Sequence, residues 1–273
     1  MRWSERHLAM LRELGIRIWP AGQPSPVQVQ PVHAAAGPSP RVGAAGLERL
    51  GAPTRPAWVE PAQEQPSAEL VGSGHRPVGV QAMGWSALRE TAGACTACKL
   101  CEGRKQVVFG TGSTQAQWLI VGEAPGEQED LQGEPFVGKS GQLLDAMLRS
   151  IGLTRGEAPS QHQVYIANTI KCRPPGNRNP QPDELAQCEP FLIRQLELLQ
   201  PRIILAMGRF AVQSLLRSSE PVGRLRGRVH RYQGVPLIVT YHPAYLLRNP
   251  EDKARAWDDL CLAVETGQLA PPR

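Results

Sequence analysis

The chain has 273 residues, of which 41% are hydrophobic, and this allows either one domain of roughly 190 residues with a long extension or two small domains. The formal net charge of +5 is compatible with a polyanionic partner but does not require one. No stretch approaches the roughly 20 apolar residues of a membrane-spanning helix, and the first residues lack the pattern of a signal peptide, so we expect a cytoplasmic protein.

The first 84 residues differ in composition from the rest. Residues 1–19 contain a predicted short helix, Ser4–Gly15, which is either a docking segment for another protein or a frayed end. Residues 20–84 are rich in Pro, Ala, Gly and Gln and have few large apolar side chains, so we predict a flexible linker. The folded domain is therefore expected to span residues 85–273.

The domain repeats a strand followed by a helix. Short apolar runs rich in β-branched residues predict four buried strands: Trp118–Val121, Val164–Ala167, Ile203–Ala206 and Leu237–Thr240. Helical patterns follow them at Gly141–Ile151, Asp183–Leu199, Arg209–Leu216 and Glu251–Val264, with Ser140 and Asn249 as candidate capping residues. This alternation favours an α/β fold with a mostly parallel four-stranded sheet flanked by helices on both faces.

Polar residues lie within two positions of the ends of three of these strands. Glu123 comes after the first strand, Asn168 after the second and His242 after the fourth. Ligands of open α/β sheets bind beyond the carboxyl ends of the strands, so we expect these three side chains to line one site.

Six cysteines are more typical of metal ligands or buried thiols than of disulfides in a reducing compartment. Cys95 and Cys98 are spaced so that one turn can offer both sulfurs to a metal, and Cys172 and Cys188 form a looser pair. Spacing alone leaves zinc, a 4Fe-4S cluster and unrelated thiols open. Cys101 offers a second possible pair with Cys98, whereas Cys261 is most simply a core residue.

Several motifs, in this order, resemble those of the family 4 uracil-DNA glycosylases. They are Cys95-Thr-Ala-Cys-Lys-Leu, Val108-Phe-Gly-Thr-Gly, Gly122-Glu-Ala-Pro-Gly-Glu, Gly133-Glu-Pro-Phe-Val-Gly, Asn168-Thr-Ile-Lys-Cys-Arg-Pro-Pro, Asn177-Arg and His242-Pro-Ala-Tyr-Leu-Leu. The resemblance covers about Ala94 to Leu262 and implies a DNA-repair glycosylase that flips uracil out of DNA and hydrolyses its N-glycosidic bond. It implies a nucleoid-associated location, and we expect a monomer.

The resemblance also implies a cofactor. Cys95, Cys98, Cys172 and Cys188 match the four ligands of the family's 4Fe-4S cluster, which is thought to hold the DNA-binding loops. Cys101 lies where the family needs no cysteine and is interpreted as a bystander.

Roles in base recognition and catalysis are carried over in the same way. Asn168 resembles the uracil reader, Phe136 the ring that stacks on the base, and His242 the donor to uracil O2. Glu123 is expected near the sugar, and the Gly122 and Glu123 amides are candidate contacts of the base.

Exclusion of thymine needs a residue other than Gly126, which stands where relatives have a blocking tyrosine. Glu129 is the predicted gate, with Asp130 interpreted as a nearby solvated acid.

DNA contacts are predicted after the last strand and in a basic cluster. Leu246 resembles the wedge that fills the vacated stack, with Leu247 and simple core packing as alternatives. Arg248 is expected to bind a flanking phosphate. The same is expected of the clustered arginines around His230, which are Arg224, Arg226, Arg228 and Arg231. The other interpretation of this cluster is a solvated edge.

Three other functions fit parts of the pattern. One is a covalent uracil-DNA-binding relative, but the segment 173–187 lacks the histidine that this chemistry would use. The others are an inactive iron–sulfur DNA-binding module and a zinc-stabilised nucleotide-binding protein.

Overall fold

The computed structural model describes residues 78–269. The predicted N-terminal helix and nearly all of the predicted linker therefore lie outside the described residues. Ordered structure begins a few residues ahead of Trp85, with a 3₁₀ turn at Val80–Ala82. Val80 is only 3% exposed and packs against Leu88 and Phe191, so this end of the linker segment belongs to the folded domain.

The described chain alternates strands and helices as the sequence predicts. The strands are β1 (Thr111–Gly112), β2 (Trp118–Gly122), β3 (Val164–Asn168), β4 (Ile203–Met207), β5 (Val229–Tyr232) and β6 (Val235–Thr240). The helices are α1 (Trp85–Ala94), α2 (Leu100–Gly103), α3 (Glu127–Gln132), α4 (Lys139–Ser150), α5 (Pro182–Leu199), α6 (Arg209–Leu216), α7 (Val222–Leu225), α8 (Pro243–Arg248) and α9 (Lys253–Leu269).

The strands form one mixed sheet in the order β1-β3-β2-β4-β6-β5. The four predicted strands are its parallel centre, as expected, but the prediction of four strands was wrong for the sheet as a whole. Two short edge strands, β1 and β5, pair antiparallel with β3 and β6. Sequence patterns missed them because β1 has only two residues and β5 alternates exposed and half-buried positions instead of forming an apolar run.

Helices cover both faces of the sheet, and each face has its own apolar core. On one face, Ile120 and Leu205 pack with side chains of α4, α8 and α9. On the other, Val121 and Ala206 pack with side chains of α5 and α6. Because alternate residues of each central strand are buried in opposite cores, these strands read as continuous apolar runs.

The helix caps differ from the prediction. Ser140 lies inside α4, whose N-cap is Gly138, and Asn249 makes no side-chain cap bond to the turn that follows it. The Glu129 carboxylate instead accepts hydrogen bonds from the amides of Val137 and Gly138 at the start of α4. Within residues 78–269, no helix has the length and apolar character needed to cross a membrane.

Candidate active site and cysteine cavity

The carboxyl ends of the parallel strands meet at a cleft of about 990 Å³. The chain leaves β2 towards one face and β4 towards the other, and such a switch point is where open α/β sheets bind ligands. Gly122 at the end of β2 pairs in register with Asn168 at the end of β3. Glu123, Asn168 and His242 all line this cleft, so the structure brings the three predicted residues together.

Asn168 is buried at the base of the cleft. Its side chain and backbone are 1% exposed, and Oδ1 has no hydrogen-bond partner among the described residues. An unpaired buried amide oxygen costs about 1–3 kcal/mol, so this atom is suited to a ligand that donates to it. The Asn168 carbonyl oxygen, by contrast, accepts a hydrogen bond from Lys171 Nζ at 2.8 Å.

Phe136 forms the wall beside Asn168 and is held in an unusual conformation. Its φ of 57° lies in the left-handed region, which is strained for a bulky side chain. Gly122 does not line the cleft itself, but a Cβ at this position would collide with Asn168 Oδ1 and the Phe136 ring. The close approach of these two side chains therefore requires a glycine at the end of β2.

His242 presents a defined tautomer to the cleft. Its Nδ1 accepts a hydrogen bond from the Ala244 amide at 3.1 Å, so the proton of the neutral ring is on Nε2. Burial and, to a smaller extent, the positive charge of Arg248 lower the pKa of His242 to about 4, whereas the negative charge of Glu129 opposes this shift. The ring stacks near Phe136 with 5.3 Å between centroids. At neutral pH this side chain is an uncharged donor.

Glu123 follows β2 with a half-buried side chain at the cleft. Burial raises the pKa of its carboxyl group, and the positive charge of Arg209 opposes the rise. The Glu123 carbonyl oxygen accepts hydrogen bonds from Thr169 Oγ1 at 2.6 Å and Ile170 N at 3.3 Å. These bonds fix the backbone of Glu123 next to the end of β3. They do not involve its carboxyl group, and Glu123 lines the cleft.

Glu129 also lines the cleft, but its carboxylate is committed to backbone amides. Oε2 accepts from Gly126 at 3.1 Å, and Oε1 accepts from Val137 and Gly138. The side chain thus fixes the segment that carries Phe136 and the turn at Gly126. This arrangement does not test its predicted role against thymine.

The interpretation of Asp130 as a solvated acid was wrong. Asp130 is 2% exposed, and its Oδ1 accepts hydrogen bonds from the amides of Lys105 at 2.9 Å and Gln106 at 3.4 Å. It ties the segment that follows α2 to α3, which explains why an acidic residue is buried here.

Leu246 does not reach the surface. It is 0% exposed in the core between α4, α8 and α9, so the alternative of core packing applies to this residue. Leu247, the next residue, is 44% exposed. Arg248 is exposed and lines the cleft, and its contact with DNA stays a prediction.

The predicted basic cluster divides into exposed and paired arginines. Arg224, Arg228 and Arg231 are exposed. Arg226 is not available for phosphate as predicted, because its guanidinium bonds the buried carboxylate of Asp259 at 3.0 Å and lies over the Tyr241 ring. None of the four lines the cleft, although Arg224 follows Gly223, which does.

A second cavity is lined by five of the six cysteines: Cys95, Cys98, Cys101, Cys172 and Cys188. Cys261 lies elsewhere, against the core of α4 and α9, as predicted for a core residue. Cys101, which the sequence analysis interprets as a bystander, also lines this cavity. In the part of the chain that the structure describes, no three Cys, His, Asp or Glu side chains form a ready site for a single metal ion.

Cationic and amide groups surround these sulfurs. Arg104 Nη1 donates to Cys172 Sγ at 3.3 Å, and the Lys171 amide donates to Cys188 Sγ at 3.2 Å. Burial raises the pKa of Cys98 to about 11 and that of Cys188 to about 12. Without a bound cation these two side chains are therefore neutral thiols, whereas metal ligation takes the thiolate form.

Sequence patterns did not single out several cleft residues. Arg209 begins α6 and is separated from the end of β4 by one residue, Tyr241 precedes His242, and Tyr245 stacks on Tyr241 with 5.0 Å between ring centroids. The strand-end rule offered a signal for the first two, since both follow parallel strands. No sequence signal marked Lys171, because a lysine in a Pro-rich loop is usually exposed. In the structure, however, this lysine is only 2% exposed.

Comparison with known sequences agrees with this architecture. A sequence model described as the Uracil DNA glycosylase superfamily matches residues 109–261, more than half of the chain. The matched segment contains the parallel strands and every residue that lines the cleft. The fold and its cleft are thus those of this superfamily.

Individual relatives narrow the assignment. A type-4 uracil-DNA glycosylase of Archaeoglobus fulgidus is 42% identical over 166 residues, which cover 58% of this chain and 80% of that protein. Type-4 uracil-DNA glycosylases of Saccharolobus solfataricus and Thermotoga maritima are also 42% identical, over 74% and 82% of their lengths and 57% and 59% of this chain. The chain belongs to the type-4 uracil-DNA glycosylases.

Proposed function

We propose that this protein is a DNA-repair enzyme that hydrolyses the N-glycosidic bond of uracil in DNA and leaves free uracil and an abasic site. The observation that carries the proposal is one cleft in which the unpaired Oδ1 of Asn168, the ring of Phe136 and the neutral imidazole of His242 lie together. Membership of the type-4 family supports the same activity.

Asn168 reads the Watson–Crick edge of the base. Its Oδ1 accepts from uracil N3–H and its amide nitrogen donates to O4, whereas cytosine presents the reverse pattern. Binding cytosine would leave two buried polar groups unpaired, at a cost of about 1–3 kcal/mol each. The Phe136 ring, fixed beside Asn168, provides the face on which the base stacks.

His242 stabilises the leaving base. As the glycosidic bond breaks, negative charge accumulates on uracil, and the Nε2–H of a neutral imidazole donates to O2. The Ala244 amide keeps Nδ1 as an acceptor, so the donor faces the cleft without a change of tautomer. Since this hydrogen bond strengthens with the developing charge, it acts mainly in the transition state.

Glu123 acts on the sugar side of the bond. Its carboxylate stabilises the cationic character of the deoxyribose and orients the water that attacks C1′. The nearby charge of Arg209 favours the ionised form of this carboxyl group against the effect of burial. The proton of the attacking water passes to Glu123 or to solvent as the C1′–O bond forms.

Recognition of the base requires it to leave the helix, because Asn168, its proposed reader, is only 1% exposed. Leu247 replaces Leu246 as the wedge, since it is the exposed leucine of α8. Arg248 lies one residue further on and binds a flanking phosphate, so affinity depends on salt. The substrate, uracil-containing DNA, is consistent with the predicted location at the nucleoid.

The cysteine cavity is the proposed site of a 4Fe-4S cluster with Cys95, Cys98, Cys172 and Cys188 as ligands. Four thiolates hold such a cluster, and its own iron atoms keep them apart, so they need to line one cavity rather than meet at one point. The N–H donors of Arg104 and Lys171 suit sulfurs that carry negative charge. When bound, the cluster would supply a structural cross-link between the segment after α1, the loop after β3 and helix α5, which contains Cys188.

The test is incubation of the purified protein with labelled oligonucleotides that contain a single uracil, followed by alkaline cleavage of abasic sites. Strand breaks at uracil, in single- or double-stranded DNA, are the expected result, with intact thymine controls. Binding without cleavage would show an inactive module instead. A protein–DNA adduct that resists denaturation would indicate the covalent relative.

A further inference from the structure

Cys101 contributes a fifth sulfur to a site that needs four. It lies in the short helix α2 and lines the same cavity as the four proposed ligands. The Cys101 amide donates to the Cys98 carbonyl at 3.2 Å, so the turn brings the two residues to one side of the chain.

The helix that carries Cys101 is anchored at the cavity. Its first residue, Leu100, is 3% exposed and packs with Ile170 and Cys172. Half-buried Cys98 and Cys188 border the same apolar cluster. Because Leu100 is fixed in this way, the neighbouring Cys101 stays close to the ligand set.

The spacing and the neighbours of Cys101 show which ligand it can replace. Cys98 and Cys101 repeat the two-residue spacing of Cys95 and Cys98. Cys95 and Cys101 line the cavity together with Cys98 and Cys172. Since Cys98 is common to the two possible pairs, Cys101 can take the place of Cys95.

We infer that Cys101 is an alternative ligand that takes the place of Cys95 when that thiolate is lost. The inference rests on the cluster proposed above. In such an exchange Cys101 would give up its proton and hold the cluster as a thiolate, and the released Cys95 would take up a proton and become a neutral thiol. One thiolate replaces another, so the charge and the oxidation state of the cluster are unchanged.

The test compares iron content and absorbance near 400 nm in anaerobically purified variants of the full chain. Cys95→Ala and Cys101→Ala should each keep wild-type iron, whereas the double variant should lose most of it. Cys98→Ala should also lose iron, since it removes the member common to both pairs. Cys261→Ala is the matched control, because Cys261 lies away from the cavity.

Equal loss of iron in Cys95→Ala and in the double variant would overturn the inference. A wild-type protein without iron would instead remove the cluster proposal itself, so the two failures are distinguishable.

A second measurement applies if Cys95→Ala is insoluble. Wild-type protein, Cys101→Ala and Cys261→Ala are exposed to a chelator and a mild oxidant, and the release of iron is followed with time. Release should be several-fold faster in Cys101→Ala than in the other two, and equal rates in all three would contradict a reserve ligand.

Discussion

Lys171 Nζ donates a hydrogen bond to the carbonyl oxygen of Asn168 at 2.8 Å, although the lysine is almost completely buried. The ammonium also donates to Gln195 Oε1 at 2.7 Å, and Gln195 in turn donates to the Phe109 carbonyl. Lys171 stands three residues after the proposed uracil reader and directly before Cys172. The same side chain therefore fixes the peptide of the reader beside the cysteine cavity.

Substitution of Lys171 by Met should displace Asn168. The change leaves the Asn168 carbonyl and Gln195 Oε1 without this donor, at a cost of about 1–3 kcal/mol of stability. We expect weaker binding of free uracil and a fall of about 10-fold in kcat/KM, with little change in affinity for abasic DNA. Lys105→Met, on an exposed side chain, is the control. Unchanged uracil binding in the Lys171 variant would show that the contact does not position the reader.

The pH dependence of His242 follows from its lowered pKa. Burial and Arg248 hold this pKa at about 4, so the imidazole is neutral at every pH above about 5. In the unfolded chain the imidazole of His242 is protonated as the pH falls below about 6.5, whereas in the folded protein it stays neutral down to about pH 4. The free energy of unfolding therefore falls as the pH is lowered from 6.5 towards 4.

NMR titration of the His242 ring protons measures this pKa directly, and Arg248→Ala should raise it. A ring that titrates near 6.5 in the folded protein would contradict the neutral donor. His242→Ala should slow uracil release by about 10²–10³-fold while DNA binding is retained. Single-turnover rates separate these two effects.

Glu123 should set the acidic limb of the activity profile. Because burial raises its pKa, the active carboxylate is lost as the pH falls through a value above the ordinary 4.5. Arg209→Met removes the charge that opposes this rise, so the limb should move to higher pH. In Glu123→Gln the limb should disappear along with most of the activity. A limb at the same pH in Arg209→Met as in the wild type would exclude this coupling.

Sequence patterns located the centre of the fold and the cleft because both follow from buried parallel strands. The four predicted apolar runs correspond to β2, β3, β4 and β6. Glu123, Asn168 and His242, which were predicted to meet at the strand ends, line one cleft. Pairing partners were not predictable, since exposed and buried polar residues look alike in sequence. Arg226 and Asp130 were both expected at the surface, yet each forms hydrogen bonds in the interior.

Asn168→Asp tests the reading of the base. A carboxylate keeps an acceptor for N3–H but replaces the donor to O4, so uracil should lose about 100-fold in kcat/KM. Selectivity over cytosine should fall at the same time. Oligonucleotides that contain uracil, cytosine or thymine at the same position measure both quantities, and an unaltered substrate profile would refute the reading role.

Leu246 and Leu247 are adjacent in α8 and allow a matched comparison. Leu246 is buried between α4 and α9, so Leu246→Ala should reduce the free energy of unfolding by about 2–5 kcal/mol. Leu247 is 44% exposed, so Leu247→Ala should leave the Tm close to that of the wild type. If Leu247 is the wedge, its loss lowers kcat/KM on double-stranded DNA much more than on single strands, where no stack has to be filled. Equal rates for wild type and Leu247→Ala on both substrates would show that Leu247 is not the wedge. Neither leucine of α8 would then fill the DNA stack, because Leu246 could reach the DNA only by leaving the core.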